Sequence, residues 1–267
     1  MRRAASLVTT AALAVGLAAA SASASTSTRA QASAGALTFC SDITYPPEEF
    51  YQGSKPAGSD IDIGTEVAKR MGRTAKFSNT GFDAIIAALL AKKCDAVISG
   101  MNDTPLRRKQ VNFVDYLSVG QSLMVKKGNP AHIGSLATLA GKTVSVEVGT
   151  TNRDFLEAAS KKLKSQGKSA IKVQAFPKDT DAAAALKTGR VDAYFGDSPV
   201  VAYYISKDSS FGFAGSPINP IPVGIAVRKN DPATNTGIKK AIAGMYRDGA
   251  MKKILAKWKM SAFALKT

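Results

Sequence analysis

A chain of 267 residues, 45% of them hydrophobic, leaves roughly 230 after the N-terminal segment read below as a leader, which suits one large domain or two lobes of about 110 residues each. Its formal charge of +16 is spread along the whole length with no nucleic-acid motif, which argues for solvated helix faces and attraction to an anionic envelope rather than nucleic acid. One histidine (His132, in a Gly-Asn-Pro-rich turn) and two cysteines (Cys40 and Cys94) exclude a zinc pattern and leave no Cys/His nucleophile pair.

The first acidic residue is Asp42. Ahead of it stand Arg2 and Arg3, an apolar run from Leu7 to Ala20, and small residues with Ala-x-Ala spacings. This reads as a secretory signal peptide over residues 1–26, followed by a Ser/Thr/Ala lead-in over 27–35. The run of about 14 residues is short of the roughly 20 that a membrane span needs. The expected location is therefore outside the cytoplasm, in the periplasm or at the cell exterior, for a soluble mature chain that stays strongly basic.

Leu37–Ser41 predicts a short buried strand, and Tyr45-Pro46-Pro47 a stiff extended turn. Apolar residues at helical spacing run from Ile61 to Met71 and stop at Gly72. A strand at Lys76–Ser78, an apolar helix from Phe82 to Ala91 and a strand at Asp95–Ser99 follow. Thr104-Pro105 then opens another helix, with threonine as N-cap and proline in the first turn. The pattern repeats downstream: strand Thr143–Glu147, helix from Thr151 to about Gln166, strand Ile171–Gln174, helix Thr180–Lys187, strand Asp192–Gly196. Strands alternating with helices at this pitch predict parallel sheets.

Residues 88–96 (ALLAKKCDA) also align without gaps on residues 185–193 (ALKTGRVDA). Each is the end of an apolar helix, a basic turn, then Asp-Ala opening a strand. The echo predicts two lobes of similar topology rather than one long sheet. Two β-rich stretches, Tyr116–Lys126 and Pro220–Arg228, lie between and after the lobes. Asp231-Pro232 and two amphipathic helices, Thr236–Tyr246 and Ala250–Lys259, close the chain.

Six segments in order carry a resemblance to a known family. They are Ser41–Pro47 with Phe50, Gly58–Ile63, Cys94–Arg107, Asn112–Tyr116, Gly149-Thr150-Thr151, and Gly189–Ala193 through Asp197. From about residue 36 to 260 the sequence resembles the family 3 solute-binding proteins, amino-acid receptors of bacterial ABC importers. The resemblance implies an α/β fold of the periplasmic-binding-protein type II class, two α/β lobes joined by a two-strand hinge. Lobe 1 is expected over 36–115 and 225–267, the hinge strands over 116–120 and 220–224, and lobe 2 over 121–219. It further implies a monomeric, non-catalytic receptor without cofactor or metal, whose partners are a free amino acid and a membrane permease.

A free amino acid needs a complement for its carboxylate, its ammonium and its side chain. For the carboxylate, Arg107 offers a planar fork for a bidentate pair, assisted by Asn102 and by the helix start at Thr150 and Thr151. For the ammonium, Asp197 stands at a strand C-terminus, where a cleft site between α/β units forms; Gly100 and Ser99 stand nearby. Tyr45 and Phe82 match the family's pair of residues that sandwich the ligand. Asp42, Glu48 and Glu147 stand near the expected side-chain pocket. The family usually has an apolar residue at the position of Glu48 and often a neutral one at Glu147, so these acids point to a cationic ligand; acids solvated at the cleft rim are the alternative. The alternative for Asp197, before Ser198-Pro199, is a helix cap only, and for Thr150 and Thr151 likewise.

In this topology Cys40 and Cys94 lie at opposite ends of neighbouring parallel strands. At ~3.3 Å per residue they stand roughly 12 Å apart, against at most ~7 Å between the Cα atoms of a disulfide, which predicts two free buried thiols. Two other functions share the scaffold. A cleft enzyme such as a cyclohexadienyl dehydratase would need a general acid, for which Glu147 is the candidate. A sensory receptor would dock on a membrane kinase instead of a permease.

Overall fold

The computed structural model describes Met1 and residues 35–265. The chain divides into two units, Met1–Ala32 and Ser33–Thr267, and the fold is that of the second. Apart from Met1 and Gly35, the expected signal peptide and lead-in lie outside the described residues.

In chain order the strands are β1 (Ala36–Ser41), β2 (Thr44–Tyr45), β3 (Glu49–Gln52), β4 (Lys55–Ala57), β5 (Thr74–Asn79), β6 (Ala96–Val97), β7 (Val111–Lys126), β8 (Thr143–Glu147), β9 (Lys172–Phe176), β10 (Ala193–Asp197) and β11 (Phe211–Arg228). The helices are α1 (Ser59–Arg70), α2 (Ile85–Leu90), α3 (Pro105–Arg108), α4 (Thr151–Ser165), α5 (Asp179–Lys187), α6 (Ser198–Lys207), α7 (Pro232–Arg247) and α8 (Ala250–Lys257). Local chemistry sets several of these boundaries. Thr104 caps α3 by accepting the Arg107 amide at 3.2 Å, with Pro105 in the first turn. Asp231 does the same for α7 through the Thr234 amide, with Pro232 following it.

Hydrogen bonding joins the strands into one 8-stranded sheet of order β5-β1-β6-β11-β7-β10-β8-β9, beside a small β2-β3-β4 sheet. The sheet is continuous, which corrects the expectation that two lobes would exclude one long sheet. The order is nonetheless symmetric. β5, β1 and β6 run parallel on one side, β9, β8 and β10 on the other, with the antiparallel pair β7 and β11 between them.

The repeated segment has a structural cause in this symmetry, since it covers α2 through β6 in one lobe and α5 through β10 in the other. In lobe 1 the Asp95 amide donates to Thr38 O at 2.8 Å, and Asp95 Oδ2 accepts the Thr38 amide at 2.9 Å. In lobe 2 Asp192 makes the same pair of bonds to Thr143, both at 2.8 Å. An aspartate just before each strand thus clamps it to its parallel neighbour.

Each lobe has its own core. Leu37, Phe39, Ile63, Val67, Ile225, Ile238 and Met245 pack in the first, and Val144, Val146, Leu156, Leu163 and Phe195 in the second. Along β7 the core changes over between Val119, which packs in the first, and Leu123, which packs in the second. Facing that changeover, β11 carries Pro217, Pro220 and Pro222, which have no N–H to donate, and its ladder with β7 shifts register between Ala214 and Ile218 and again between Ile218 and Ile221.

Cys40 and Cys94 are joined by a disulfide with Cα atoms 5.7 Å apart, which corrects the expectation of free thiols. That expectation ran an extended strand from Asp95 to Ser99 with Cys94 continuing its line. β6 spans only Ala96–Val97, and the preceding residues turn, with Lys92 in the left-handed region at φ 60°. Arg228 of β11 draws this turn in by donating to the carbonyls of Leu89 and Cys94. Cys94 therefore folds back onto Cys40 beneath Ile85 and Leu89.

Candidate functional site

The two lobes meet at the loops that follow the C-terminal ends of the parallel strands. Asp42, Tyr45, Phe82, Gly100 and Asn102 from the first lobe and Glu147, Thr150, Asn152 and Asp197 from the second line a common cavity. The lobes are closed on one another there. Thr151 Oγ1 donates to Asn102 Oδ1, and Arg107 donates to Gly149 O at 3.1 Å. Tyr45 packs with Tyr194, Val200 and Val201 of the opposite lobe. Gly149, at φ 76°, would place a Cβ 2.8 Å from the Asp83 Cα, so closure to this distance requires glycine there.

Arg107 is 9% exposed and does not line the cavity directly. Its guanidinium stands 5.3 Å over the Phe82 ring and donates to Asn102 O at 2.8 Å as well as to Gly149 O. Burial lowers its pKa from the usual value, offset by Asp154 and Asp197, and a guanidinium remains charged throughout. Asn102 keeps its Nδ2 without a hydrogen-bond partner among the described residues. Thr150 is spent as an N-cap: its Oγ1 accepts the Arg153 amide and donates to Glu147 O. Ser99 lies behind the cavity, donating to Glu49 and accepting the Asp42 amide.

Asp197 is buried at the end of β10 and precedes α6, yet its carboxylate makes no capping bond to that helix. It accepts from Asn152 Nδ2 at 3.1 Å instead. Burial pushes its pKa up to about 6, moderated by the bonds from Asn152 and Tyr45 and by the Arg107 charge.

The other acids are buried rather than solvated, which corrects the rim alternative. Asp42 is 3% exposed, Glu48 1% and Glu147 3%. Asp42 accepts from Thr44 Oγ1 and from the Phe82 amide at 2.7 Å, and burial raises its pKa. Glu147 has an unpartnered Oε1, and burial with the nearby Asp179 and Asp42 charges lifts its pKa well above the carboxylate range. Glu48 sits beside Gly100 just outside the lining, with its Oε2 unpartnered; burial and the Asp60 charge raise it strongly.

Sequence reasoning missed several of the acids that shape this field. Asp179 opens α5 and accepts from the hydroxyls of Tyr194 and Tyr204; burial carries its pKa to about 7. Asp60 accepts the Gly100 amide at 2.8 Å and the Tyr116 hydroxyl at 2.7 Å, so it fixes the cavity floor from behind. Glu49 and the lining residue Asn152 were also missed. Asp60 and Asp179 sit in the first turns of helices, where an acid ordinarily reads as a helix-dipole or capping residue, so no local signal marks them. A larger recess along β7 and β11, lined by Pro217, Pro220, Pro222 and Phe263, carries no titratable side chain.

A closed two-lobed α/β fold with a polar cavity at the strand ends defines a ligand-clamping protein of the periplasmic-binding type. The comparisons agree. Residues 37–261 match the family described as bacterial extracellular solute-binding proteins, family 3, and the chain belongs to that family. It is 30% identical over 228 residues to ABC transporter arginine-binding protein 1 of Escherichia coli K12, covering 83% of this chain and 90% of that one. It is 32% identical over 232 residues to the lysine/arginine/ornithine-binding periplasmic protein of the same organism, covering 82% and 85%. A solved structure of an ancestral arginine-binding protein bound to arginine superposes with a TM-score of 0.77 at 37% identity, covering 85% of this chain and 99% of that one. Among the described residues, no helix is long and apolar enough to cross a membrane.

Proposed function

We propose that this protein is an exported, non-catalytic receptor that closes its lobes on a free cationic amino acid and presents it to the permease of an ABC importer. The observation that carries the reading is the pairing of unsatisfied groups in one buried cavity. Asn102 Nδ2 is an unmatched donor beside Arg107, and Glu147 Oε1 is an unmatched acceptor beside Asp42. Unpaired buried polar groups are costly, so the site favours a molecule that presents a carboxylate to one side and a cation to the other.

Charge counting extends the reading to the side chain. The ligand carboxylate takes the guanidinium N–H groups that Arg107 has not committed, with Asn102, Thr150 and Thr151 around it. The ammonium goes to Asp197, with Gly100 at the floor and Ser99 behind it. Asp42, which feels the Lys178 charge at a distance, and Glu147 make no ion pair among the described residues, with Glu48 behind them, and a cationic side chain supplies one. Tyr45 and Phe82 flank its aliphatic stem.

Residues 116–120 and 220–224 act as the hinge strands between lobe 1 (36–115 and 225–267) and lobe 2 (121–219). The three prolines and the broken ladder of β11 support a pivot at this crossing. A ligand that bridges both lobes binds the closed form better and shifts the population toward it. The names of the arginine- and lysine-binding relatives support the substrate class. A thermal-shift screen of the common amino acids tests the assignment, because a bound ligand raises the melting temperature by mass action. Arginine, lysine or ornithine is expected to give the largest shift; no shift with any amino acid would remove it.

A further inference from the structure

Behind Asp197 lies a row of side-chain amides that the binding scheme above does not use. Gln121 of β7 is 1% exposed and Asn152 of α4 is 3% exposed. Asn219 of β11 follows Ile218, which pairs with Gln121, and its backbone is left-handed at φ 52°. Asn219 Nδ2 donates to Gln121 Oε1 at 3.3 Å, Gln121 Nε2 donates to Asn152 Oδ1 at 2.7 Å, and Asn152 Nδ2 donates to Asp197 Oδ1 at 3.1 Å.

The direction of this chain is set at its far end. An ionised carboxylate only accepts, so Asn152 must turn its NH2 toward Asp197 and its oxygen away. That oxygen then requires the NH2 of Gln121, whose own oxygen requires the NH2 of Asn219. Each bond polarises the next in a low-dielectric setting. We propose that Gln121 and Asn219 are positioning residues for Asp197, which hold through Asn152 the carboxylate that receives the ligand's ammonium. The inference rests on the function proposed above. It also ties the proline-interrupted stretch of β11 to the ammonium end of the cavity, so that opening which disturbs Asn219 loosens Asp197 as well.

The test compares Gln121→Glu, Gln121→Met and Asn219→Ala in the full mature chain, with L-arginine and 5-guanidinopentanoate (arginine without its α-ammonium) as calorimetric probes. Gln121→Glu sets two acceptors face to face and forces Asn152 to present its oxygen to Asp197. Arginine binding is expected to weaken by about tenfold or more, in line with the loss of a charge-assisted hydrogen bond. Gln121→Met should lose less, and Asn219→Ala, at the exposed outer link, less again. The deaminated probe should change by no more than about twofold in each, because it makes no contact that Asp197 serves.

A carboxyl 13C titration of Asp197 in unliganded protein supplies a readout that general loosening of the fold would not move selectively. Its midpoint should rise from about 6 in Gln121→Glu, because the Asn152 bond that lowers it is lost. If the Gln121 variants fail to melt cooperatively, Asn219→Ala carries the comparison. Equal losses for both probes, unchanged arginine affinity, or an unmoved Asp197 midpoint would each overturn the relay. Failure of the wild-type chain to bind either probe would instead remove the proposed function, and the Asp197 titration would still decide the relay.

Discussion

Tyr45 of the first lobe reaches across the cleft so that its hydroxyl accepts the backbone N–H of Asp197 in the second, at 3.3 Å. Both groups line the cavity, and the bond spans the two lobes. Tyr45 also sits on the Gly100 turn, where a Cβ at Gly100 would stand 3.2 Å from its ring. One side chain thus touches the cavity floor and the opposite wall, at the end of the cavity proposed to receive the ammonium. Tyr45→Phe keeps the ring and removes the bond. Ligand affinity should fall by about two- to tenfold, the usual weight of one neutral hydrogen bond. Calorimetry would show it, and an unchanged affinity would mean that the bond does not support closure.

The anchors should separate by ligand class. Arg107→Ala should abolish detectable binding of every α-amino acid, because it removes the buried cation proposed to receive the carboxylate. Glu147→Gln should weaken cationic ligands by about tenfold and leave neutral ones nearly unchanged, consistent with a partly desolvated charge pair. Parallel titrations of arginine and glutamine decide this; equal losses from both substitutions would mean the pocket is wrongly apportioned. The same Glu147→Gln protein bears on the enzymatic alternative, since a pure receptor forms no product from a dehydratable substrate with either residue.

Affinity for a cation should rise with pH between about 5 and 8. The cavity acids hold protons longer than ordinary carboxylates, Asp197 to about 6 and Asp179 to about 7, with Asp42 and Glu147 raised as well. A cation favours their ionised forms, so binding expels protons, and calorimetry in buffers of different ionisation enthalpy should register the release.

Stability of the unliganded protein should move the other way. A carboxyl raised on folding contributes stability that is present below its unfolded value near 4 and is lost as pH climbs through the folded value. Denaturation midpoints should therefore drop from pH 5 to pH 8 without ligand. Asp208, held at about 2 by Ser210 and Lys187, has the opposite sign but acts below this window. A midpoint that rises with pH would show that the cavity acids are not protonated at pH 5.

The Cys40–Cys94 bridge closes a long loop, with a sequence separation of 54. Chain-entropy reasoning assigns it about 4 kcal/mol, with strain and residual structure able to reduce that. Replacing both cysteines by serine should lower the denaturation midpoint clearly while arginine binding survives, because the pair lies outside the cavity. Thiol titration of unfolded, unreduced protein should find no free thiol.

Much of the fold was legible because its signals are local. Hydrophobic periodicity placed most helices and strands, Thr104-Pro105 announced a helix start, and the repeat containing Asp95 and Asp192 marked equivalent places in the two lobes, whereas α7 starts at Pro232, ahead of the expected Thr236. What escaped depended on contacts distant in sequence. The turn that brings Cys94 to Cys40 is drawn in by Arg228, more than a hundred residues later. The short strands β2 to β4 are too brief to carry a period, and α6 entered only through the reading of Asp197 before Ser198-Pro199 as a helix cap. Asp60, Asp179 and Asn152 act through partners on other elements, which no spacing in the sequence reveals. Nor does composition disclose that Glu48 and Glu147 are buried, and burial is what turns an acid into a demand for a cation.

The most direct measurement of that demand is a calorimetric comparison of L-arginine with L-citrulline at pH 7.5. The two have nearly the same shape, but citrulline replaces the charged guanidinium by a neutral urea. An acid-lined pocket should bind arginine at least about tenfold more tightly, the weight of one charge-assisted contact. Citrulline binding as tightly as arginine, or neither binding at all, would contradict a clamp built for a cationic amino acid.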